Sequence, residues 1–178
     1  MSTKPALFDC SRDVEQKFRV AIVYEDFVVG RMAMDTYRRL VSEFEWQFDF
    51  HLNIWRFDLF HTPDFMAEAV RLTVQANAII LATRQRDDLP ETIKRWVDLS
   101  IPQKHGQTAI LIALFDTVAG SPRISFPTAD YLRNVATNAG IDFLARETRR
   151  TRNRSSSLKS DLNEPNSHPP LEGWGLND

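Results

Sequence analysis

VAIVYEDFVVGR, residues Val20 to Arg31, joins an apolar strand to an amphipathic helix through two acidic residues, and this junction decides the fold. The strand belongs to KFRVAIVYE (17–25), whose apolar and β-branched middle predicts burial on both faces. Apolar residues spaced by three and four predict the helix: Val29, Ala33, Tyr37, Leu40, Val41 and Phe44. Glu25 and Asp26 occupy the turn between strand and helix, where many α/β proteins bind phosphate.

Four more strands are predicted along the chain. QFDFHLNIW (47–55) alternates strictly between apolar and polar residues, which is typical of a half-exposed edge strand. NAIILAT (77–83) and QTAILIALF (107–115) are apolar through their middles and predict buried central strands. IDFLA (141–145) is short and contains an acidic residue, which suits the opposite edge of the sheet.

Helices are predicted between these strands from their start and stop signals. The second helix begins after Thr62, the third near Pro90, and the fourth ends at Gly140 in a left-handed cap. Strands that alternate with helices form parallel sheets with right-handed connections. The sequence therefore predicts a three-layer α/β/α sandwich whose five-stranded parallel sheet has the order 2-1-3-4-5, with edge strands two and five outside.

Length and composition divide the 178 residues into three parts. Residues 1–16 form an N-terminal extension, 17–146 the α/β domain, and 147–178 a basic, proline-containing tail predicted to be disordered. A formal net charge of −2 does not favour nucleic acid or an anionic membrane, and no apolar run reaches the about 18 residues of a membrane span. One cysteine and no secretory signal predict a cytoplasmic protein without disulfides, and the four histidines lack metal-ligand spacing.

The segment ANAIILATRQRDDLPETIKRWVDLSIPQKHGQTAILIALFDT (76–117) resembles the middle of the flavodoxin-like family, which includes flavodoxins and flavin-dependent NAD(P)H reductases. Leu89 and Pro90 begin a helix of the family's type, and Gly30 falls at the family's loop glycine. The resemblance covers roughly residues 17–146. It implies the 2-1-3-4-5 sheet order, with the last helix of the family missing here, and an FMN-dependent NAD(P)H oxidoreductase.

Two loops depart from the family's flavin site. Ser, Thr, Gly and Asn are common in the family's phosphate loop, whereas this chain has Glu25, Asp26, Phe27, Val28 and Val29. One carboxylate 4 Å from a phosphate charge costs about 4 kcal/mol at an effective dielectric near 20. TRQRDD (83–88) also lacks an aromatic residue to stack on the flavin ring. We therefore predict no cofactor and a non-catalytic or degenerate member that binds a partner or a small ligand; an FMN-dependent oxidoreductase with an unusual phosphate loop is the alternative.

The acidic pair also resembles a feature of two-component receiver domains, which hold Mg²⁺ with acids after the first strand. Their phosphoacceptor aspartate ends the third strand, and the matching positions, Ala82 to Arg84, contain no aspartate. A receiver-like regulatory domain that lacks its phosphoacceptor is the third hypothesis.

In the predicted sheet order, strands one and three are neighbours, so Glu25 and Asp26 are expected close to Arg84 and Arg86. Such an acid–base cluster either only holds the loops together or forms part of a crevice for a cationic or amphoteric small molecule. The candidate residues of that crevice are Glu25, Asp26, Phe27, Gly30, Arg31, Trp55, Arg56, Thr83, Arg84, Arg86, Asp116 and Thr117.

No amphipathic helix is predicted after strand five, which leaves one sheet face over strands three to five without its usual cover. The N-terminal segment with Leu7 and Phe8, a second copy in a homodimer, a protein partner or the chain's own tail is expected to cover it. Leu171, Trp174 and Leu176 are the candidate anchors in the tail. Arginines 149, 150, 152 and 154 lack interleaved aromatic residues, so they do not favour nucleic-acid binding.

Overall fold

The computed structural model describes residues 16–84, 88–118 and 127–150. Five strands form one parallel sheet in the order β2-β1-β3-β4-β5. The strands are β1 (Lys17–Tyr24), β2 (Asp49–Arg56), β3 (Ala78–Thr83), β4 (Ile110–Val118) and β5 (Asp142–Arg150). The helices are α1 (Phe27–Phe44), α2 (Pro63–Val74), α3 (Glu91–Ser100) and α4 (Pro127–Ala139). The predicted sheet order and the flavodoxin-like α/β fold are confirmed.

The helices divide between the two faces of the sheet. Val29 and Ala33 of α1 pack on one face, against Val20, Ile22 and Ile80. Helices α2, α3 and α4 cover the other face, where the fully buried Trp96 of α3 stacks on Phe60, with ring centroids 5.8 Å apart. Strand β3 is buried at every position, as its unbroken apolar run predicts, because it lies in the centre of the sheet between both helical layers.

The α1 face is less open than the sequence predicts. Ile112 and Leu114 of β4 point to this face and are buried, since α1 contacts β4 as well as β1 and β3. Leu144 of β5 is 51% exposed. Ile54 of β2 pairs with Ile22 and so points to the same face, and it is 45% exposed. Exposed apolar surface on this face of the described sheet therefore lies on the two edge strands, rather than over strands three to five. The chain beyond Arg150 lies outside the described residues.

Two element boundaries differ from the sequence prediction. Helix α1 begins at Phe27, two residues before the apolar stripe starts, and β5 runs nine residues to Arg150 instead of ending near residue 145. The strand therefore continues four residues past Arg146, where the tail was expected to begin. Gly140 follows α4 with φ of +68°, which confirms the left-handed cap.

The carboxyl edge of the sheet is stepped. Tyr24, the last residue of β1, pairs with Ala82, and Thr83, the last residue of β3, pairs with Phe115. Strands β4 and β5 continue for three more residue pairs, to Val118 and Arg150. The turns after β1 and β3 thus lie beside a projecting wall formed by β4 and β5, and the candidate site lies in this step.

Among the described helices, none has the length and apolarity needed to cross a lipid bilayer.

Candidate functional site

Asp26 caps helix α1 with its own side chain. Its backbone is extended (φ −141°, ψ 175°), and its Oδ1 accepts hydrogen bonds from the amides of Val28 at 2.8 Å and Val29 at 3.2 Å. The turn between β1 and α1 is only two residues long. The first amides of a helix normally attract an anion. Here those amides already bind a carboxylate of the chain itself.

Glu25 joins the end of β1 to the end of β3. Its amide donates to the carbonyl of Ala82 at 3.0 Å. Its carboxylate accepts hydrogen bonds from the hydroxyl of Thr83 and the amide of Arg84, both at 2.7 Å. The Thr83 hydroxyl and the Arg84 amide, at the end of β3, therefore also donate to a carboxylate of the chain itself. Thr83 is fully buried.

Arg84 is placed between two further carboxylates. Its Nε lies 3.1 Å from Asp26 Oδ2 and 3.6 Å from Asp116 Oδ2. Asp116 comes from the projecting part of β4, and its side chain is only 6% exposed, whereas Arg84 and Asp26 are partly exposed. The partly exposed pair of Arg84 and Asp26 contributes about 0–1 kcal/mol. The cluster thus joins β1, β3 and β4 at their carboxyl ends. Glu25 accepts a hydrogen bond from the backbone amide of Arg84, rather than from the Arg84 guanidinium.

Gly30 lies in the helix and not in a phosphate loop. A Cβ built on Gly30 would lie 2.7 Å from Cδ2 and 2.9 Å from Cε2 of the Tyr24 ring. The ring of Tyr24, the last residue of β1, therefore packs directly on the α1 backbone. The resemblance assigned Gly30 to a loop that binds phosphate, and that assignment is wrong, because Asp26 starts the helix one turn earlier.

The other candidate residues lie around the cluster but outside it. Arg31 is exposed in the second turn of α1. Trp55 packs against the α2–α4 core, with its ring 6.4 Å from that of Phe65. Arg56 forms a two-bond ion pair with Asp58, and its hydrogen bonds lower the pKa of that carboxyl.

Some predicted residues cannot be placed. Thr117 pairs with Arg149 through the backbone of β4 and β5, and its side chain lies outside the described residues. Arg86 and the tail residues Leu171, Trp174 and Leu176 also lie outside them. Within residues 16–84, 88–118 and 127–150, no three His, Cys, Asp or Glu side chains converge as a metal-ligand set.

Two residues with defined roles were missed by the sequence reasoning. Tyr24 covers Gly30, and the available signal was a tyrosine at the end of an apolar strand followed six residues later by a glycine. Lys104 is fully buried at the opposite edge of the sheet, where its ammonium donates to the carbonyls of Thr73, Val74 and Ala76. Nothing in the surrounding IPQKHG distinguishes Lys104 from a solvated lysine.

We predict that Asp26→Ala lowers the free energy of unfolding by about 1 kcal/mol, because the α1 amides lose their cap. Asp26→Asn keeps an oxygen that caps the helix and removes only the charge facing Arg84, so its expected cost is about 0.5 kcal/mol or less. Urea denaturation of both variants measures the difference. Equal losses for the two variants would contradict a capping role for this side chain.

No protein-family model matches this chain, and no curated protein matches it at the significance threshold. Among solved structures, a Streptococcus pneumonia TIGR4 flavodoxin aligns at 14% identity over 71% of this chain and 81% of its own, with a TM-score of 0.43. A short-chain flavodoxin associated with a non-canonical PDU bacterial microcompartment aligns at 12% identity over 73% and 81%, with a TM-score of 0.48. A Burkholderia multivorans solute-binding protein aligns at 12% identity over 74% and 60%, with a TM-score of 0.29. The fold assignment rests on the order of the strands.

Proposed function

We propose that this protein is a non-catalytic, flavodoxin-like binding protein that works without flavin and recognises a protein partner at the carboxyl edge of its sheet. The observation that supports a function without flavin is that the Asp26 carboxylate accepts hydrogen bonds from the amides of Val28 and Val29. The observation that supports a partner surface here is the exposure of Phe27, at 75%, beside this cap.

The residues at this edge do not fit the phosphate of FMN. A phosphate that approached α1 would compete with Asp26 for the helix amides and with Glu25 for the Thr83 hydroxyl and the Arg84 amide. It would also meet two carboxylates in place of neutral donors, at a cost of about 4 kcal/mol for a single close pair. Tyr24 further packs on Gly30, so the backbone offers no open approach at that glycine.

Three other hypotheses have less support. A flavin-dependent oxidoreductase requires Asp26 to leave the amides that it caps. A receiver-like regulatory domain without its phosphoacceptor requires Glu25 and Asp26 to hold Mg²⁺, whereas Asp26 caps α1 and Glu25 accepts hydrogen bonds from Thr83 and Arg84. A small cationic ligand at the crevice would have to displace Arg84 from Asp26 and Asp116.

Phe27 favours a protein partner over a small ligand. It is the first residue of α1, so its position is fixed by the capped helix end. An exposed phenylalanine beside a partly exposed arginine and aspartate has the composition of an interface centre, where aromatic residues and arginine are enriched. We therefore place the contact surface on Phe27, Asp26 and Arg84.

Site-specific photo-crosslinking in the source cells tests this proposal. A photoreactive phenylalanine analogue replaces Phe27 in one variant and Leu99, an exposed apolar residue of α3, in the control. We expect one adduct of defined mass from position 27 that position 99 does not give. The protein identified in the adduct is then purified, and we expect Phe27→Ser to weaken its binding at least about tenfold while Leu99→Ser leaves it unchanged.

Identical adducts from both positions, or equal binding by the Phe27→Ser and Leu99→Ser variants, would contradict the assigned surface. Both variants are expected to keep the thermal unfolding temperature of the wild type, since both side chains are exposed.

A further inference from the structure

The second exposed aromatic surface lies at the opposite edge of the sheet, where α1 ends and β2 begins. We define the aromatic corner as Phe44, Trp46 and Phe48. Trp46 is 60% exposed, and Phe44 is 37% exposed. Phe48 anchors the corner on Phe18 and Phe50 of the adjacent strands, with ring centroids 5.3 Å and 6.3 Å away.

The aromatic corner is rigid. The indole Nε1 of Trp46 donates to the carbonyl of Glu43 at 3.0 Å, which fixes the ring against the end of α1. The amides of Gln47 and Phe48 both donate to the carbonyl of Phe44, at 2.9 Å and 3.1 Å. A fixed and exposed tryptophan offers contact area to a partner without the loss of side-chain freedom that usually opposes binding.

The charges at the aromatic corner are unfavourable for the isolated chain. Glu43 lies in the last turn of α1 and Glu45 is its C-cap, while that turn contains no basic residue. Carboxylates at the negative end of a helix are repelled by the macrodipole. Asp49 adds a third carboxylate, which faces His51 at 2.9 Å and pairs through its backbone with Lys17. A positively charged partner would relieve the repulsion at Glu43 and Glu45 and would also cover the aromatic rings.

We infer that the aromatic corner binds the arginine-rich run of a second copy of this chain, defined as residues 149–154 with four arginines. This run supplies the positive charge that is absent from the last turn of α1 beside Glu43 and Glu45. Arginine guanidinium groups also stack on aromatic faces, so Trp46 and Phe44 are suitable partners for them.

The aromatic corner and the arginine-rich run of one molecule are too far apart to contact each other. The aromatic corner lies at the amino-terminal edge of the sheet beside β2, whereas β5 ends at the carboxyl edge on the other margin. Four strand spacings of about 4.8 Å and eleven rises of about 3.3 Å per residue separate these diagonal positions by roughly 40 Å. The four residues from Arg150 to Arg154 span at most about 14 Å. The arginine-rich run therefore reaches only the corner of another molecule.

A contact between the aromatic corner of one molecule and the arginine-rich run of another joins two different surfaces, so it is heterologous. Each molecule then offers one free corner and one free run, so association continues unless a ring closes. Because the contact is between exposed charges and aromatic rings, we expect it to be weak, dependent on protein concentration and sensitive to salt.

Sedimentation velocity with a charge exchange tests the inference. We expect the wild type to sediment faster as its concentration rises to about 500 µM at about 0.05 M salt, and to be monomeric at about 1 M salt. We expect two double variants to stay monomeric under the low-salt conditions: Glu43→Lys/Glu45→Lys and Arg152→Glu/Arg154→Glu. The four substitutions combined in one chain restore the charge complementarity, and we expect association to return.

Trp46→Ser separates the aromatic contribution from the charges, and we expect association at least about tenfold weaker in this variant. Leu99→Ser is the matched control, because it removes an exposed apolar side chain of α3 that belongs to neither the aromatic corner nor the Phe27 surface. Circular dichroism confirms the fold of every variant. A wild type that stays monomeric at about 500 µM, or an association that survives either charge reversal alone, would overturn the inference.

Discussion

Lys104→Met is expected to lower the free energy of unfolding by about 2–3 kcal/mol, because it leaves buried carbonyl oxygens without their donor. The Lys104 ammonium is fully buried and donates to Val74 O at 2.9 Å, Ala76 O at 2.6 Å and Thr73 O at 3.2 Å. These carbonyls end α2 and begin the connection to β3, where the helix dipole also favours a positive charge. Methionine has a similar volume, so the loss measures hydrogen bonds rather than a cavity.

Lys17→Met is the matched control, since Lys17 is exposed at the start of β1 and its replacement is expected to change stability by less than about 0.5 kcal/mol. Urea denaturation of both variants makes the comparison. A Lys104→Met variant that loses no more than the control would show that the buried ammonium contributes nothing to the α2–β3 connection.

The pH dependence of stability gives an independent check on Lys104. Burial lowers the pKa of this ammonium from 10.5 to about 8. Above pH 8 the unfolded chain still holds a proton that the folded chain has released, so the free energy of unfolding rises with pH, by at most about 1.4 kcal/mol per unit. Burial raises the pKa of Tyr131, which reverses the trend above pH 10, so the window is pH 8 to 10. We expect this rise in the wild type and its loss in Lys104→Met.

Gly30→Val is expected to destabilise the fold by about 2 kcal/mol, although glycine is itself a poor helix former. The reason is the Tyr24 ring, which lies 2.7 Å from the position of a Cβ on residue 30. A branched side chain forces this ring away from α1 and out of its packing. Thermal and urea unfolding measure the loss.

The double variant Tyr24→Ala/Gly30→Val is the decisive comparison, because removal of the ring removes the clash. We expect Gly30→Val to cost less than about 0.5 kcal/mol in the Tyr24→Ala background. Additive losses in the double variant would mean that the glycine is required for a reason other than the approach of Tyr24.

The sheet was predictable because each strand had its own apolar pattern. The unbroken run in β3 and the strict alternation in β2 distinguish a central strand from an edge strand. The order 2-1-3-4-5 of flavodoxin-like folds fits that distinction, because it puts strands two and five outside. Gly140 was predictable as a left-handed cap because only its local conformation was involved. The extent of β5 was not predictable, since most of its last residues are charged and have no apolar pattern that would indicate pairing with β4.

The acidic turn was predictable in composition but not in geometry. The sequence places Glu25 and Asp26 near Arg84, and the structure brings them together. The sequence did not indicate that Asp26 caps α1. An apolar strand can be followed by a phosphate loop or by a capped two-residue turn, and the strand pattern is the same in both cases. Lys104 was not predictable either, since its burial depends on carbonyls that lie about thirty residues earlier in the chain.

We propose that the chain's own carboxylates occupy the donors that FMN phosphate would use. Titration of FMN fluorescence with the purified full chain tests it directly. We predict no binding tighter than about 100 µM for the wild type, and no flavin absorbance in the protein as isolated. Stoichiometric FMN binding at or below about 1 µM, with Asp26 and Glu25 unchanged, would contradict the account.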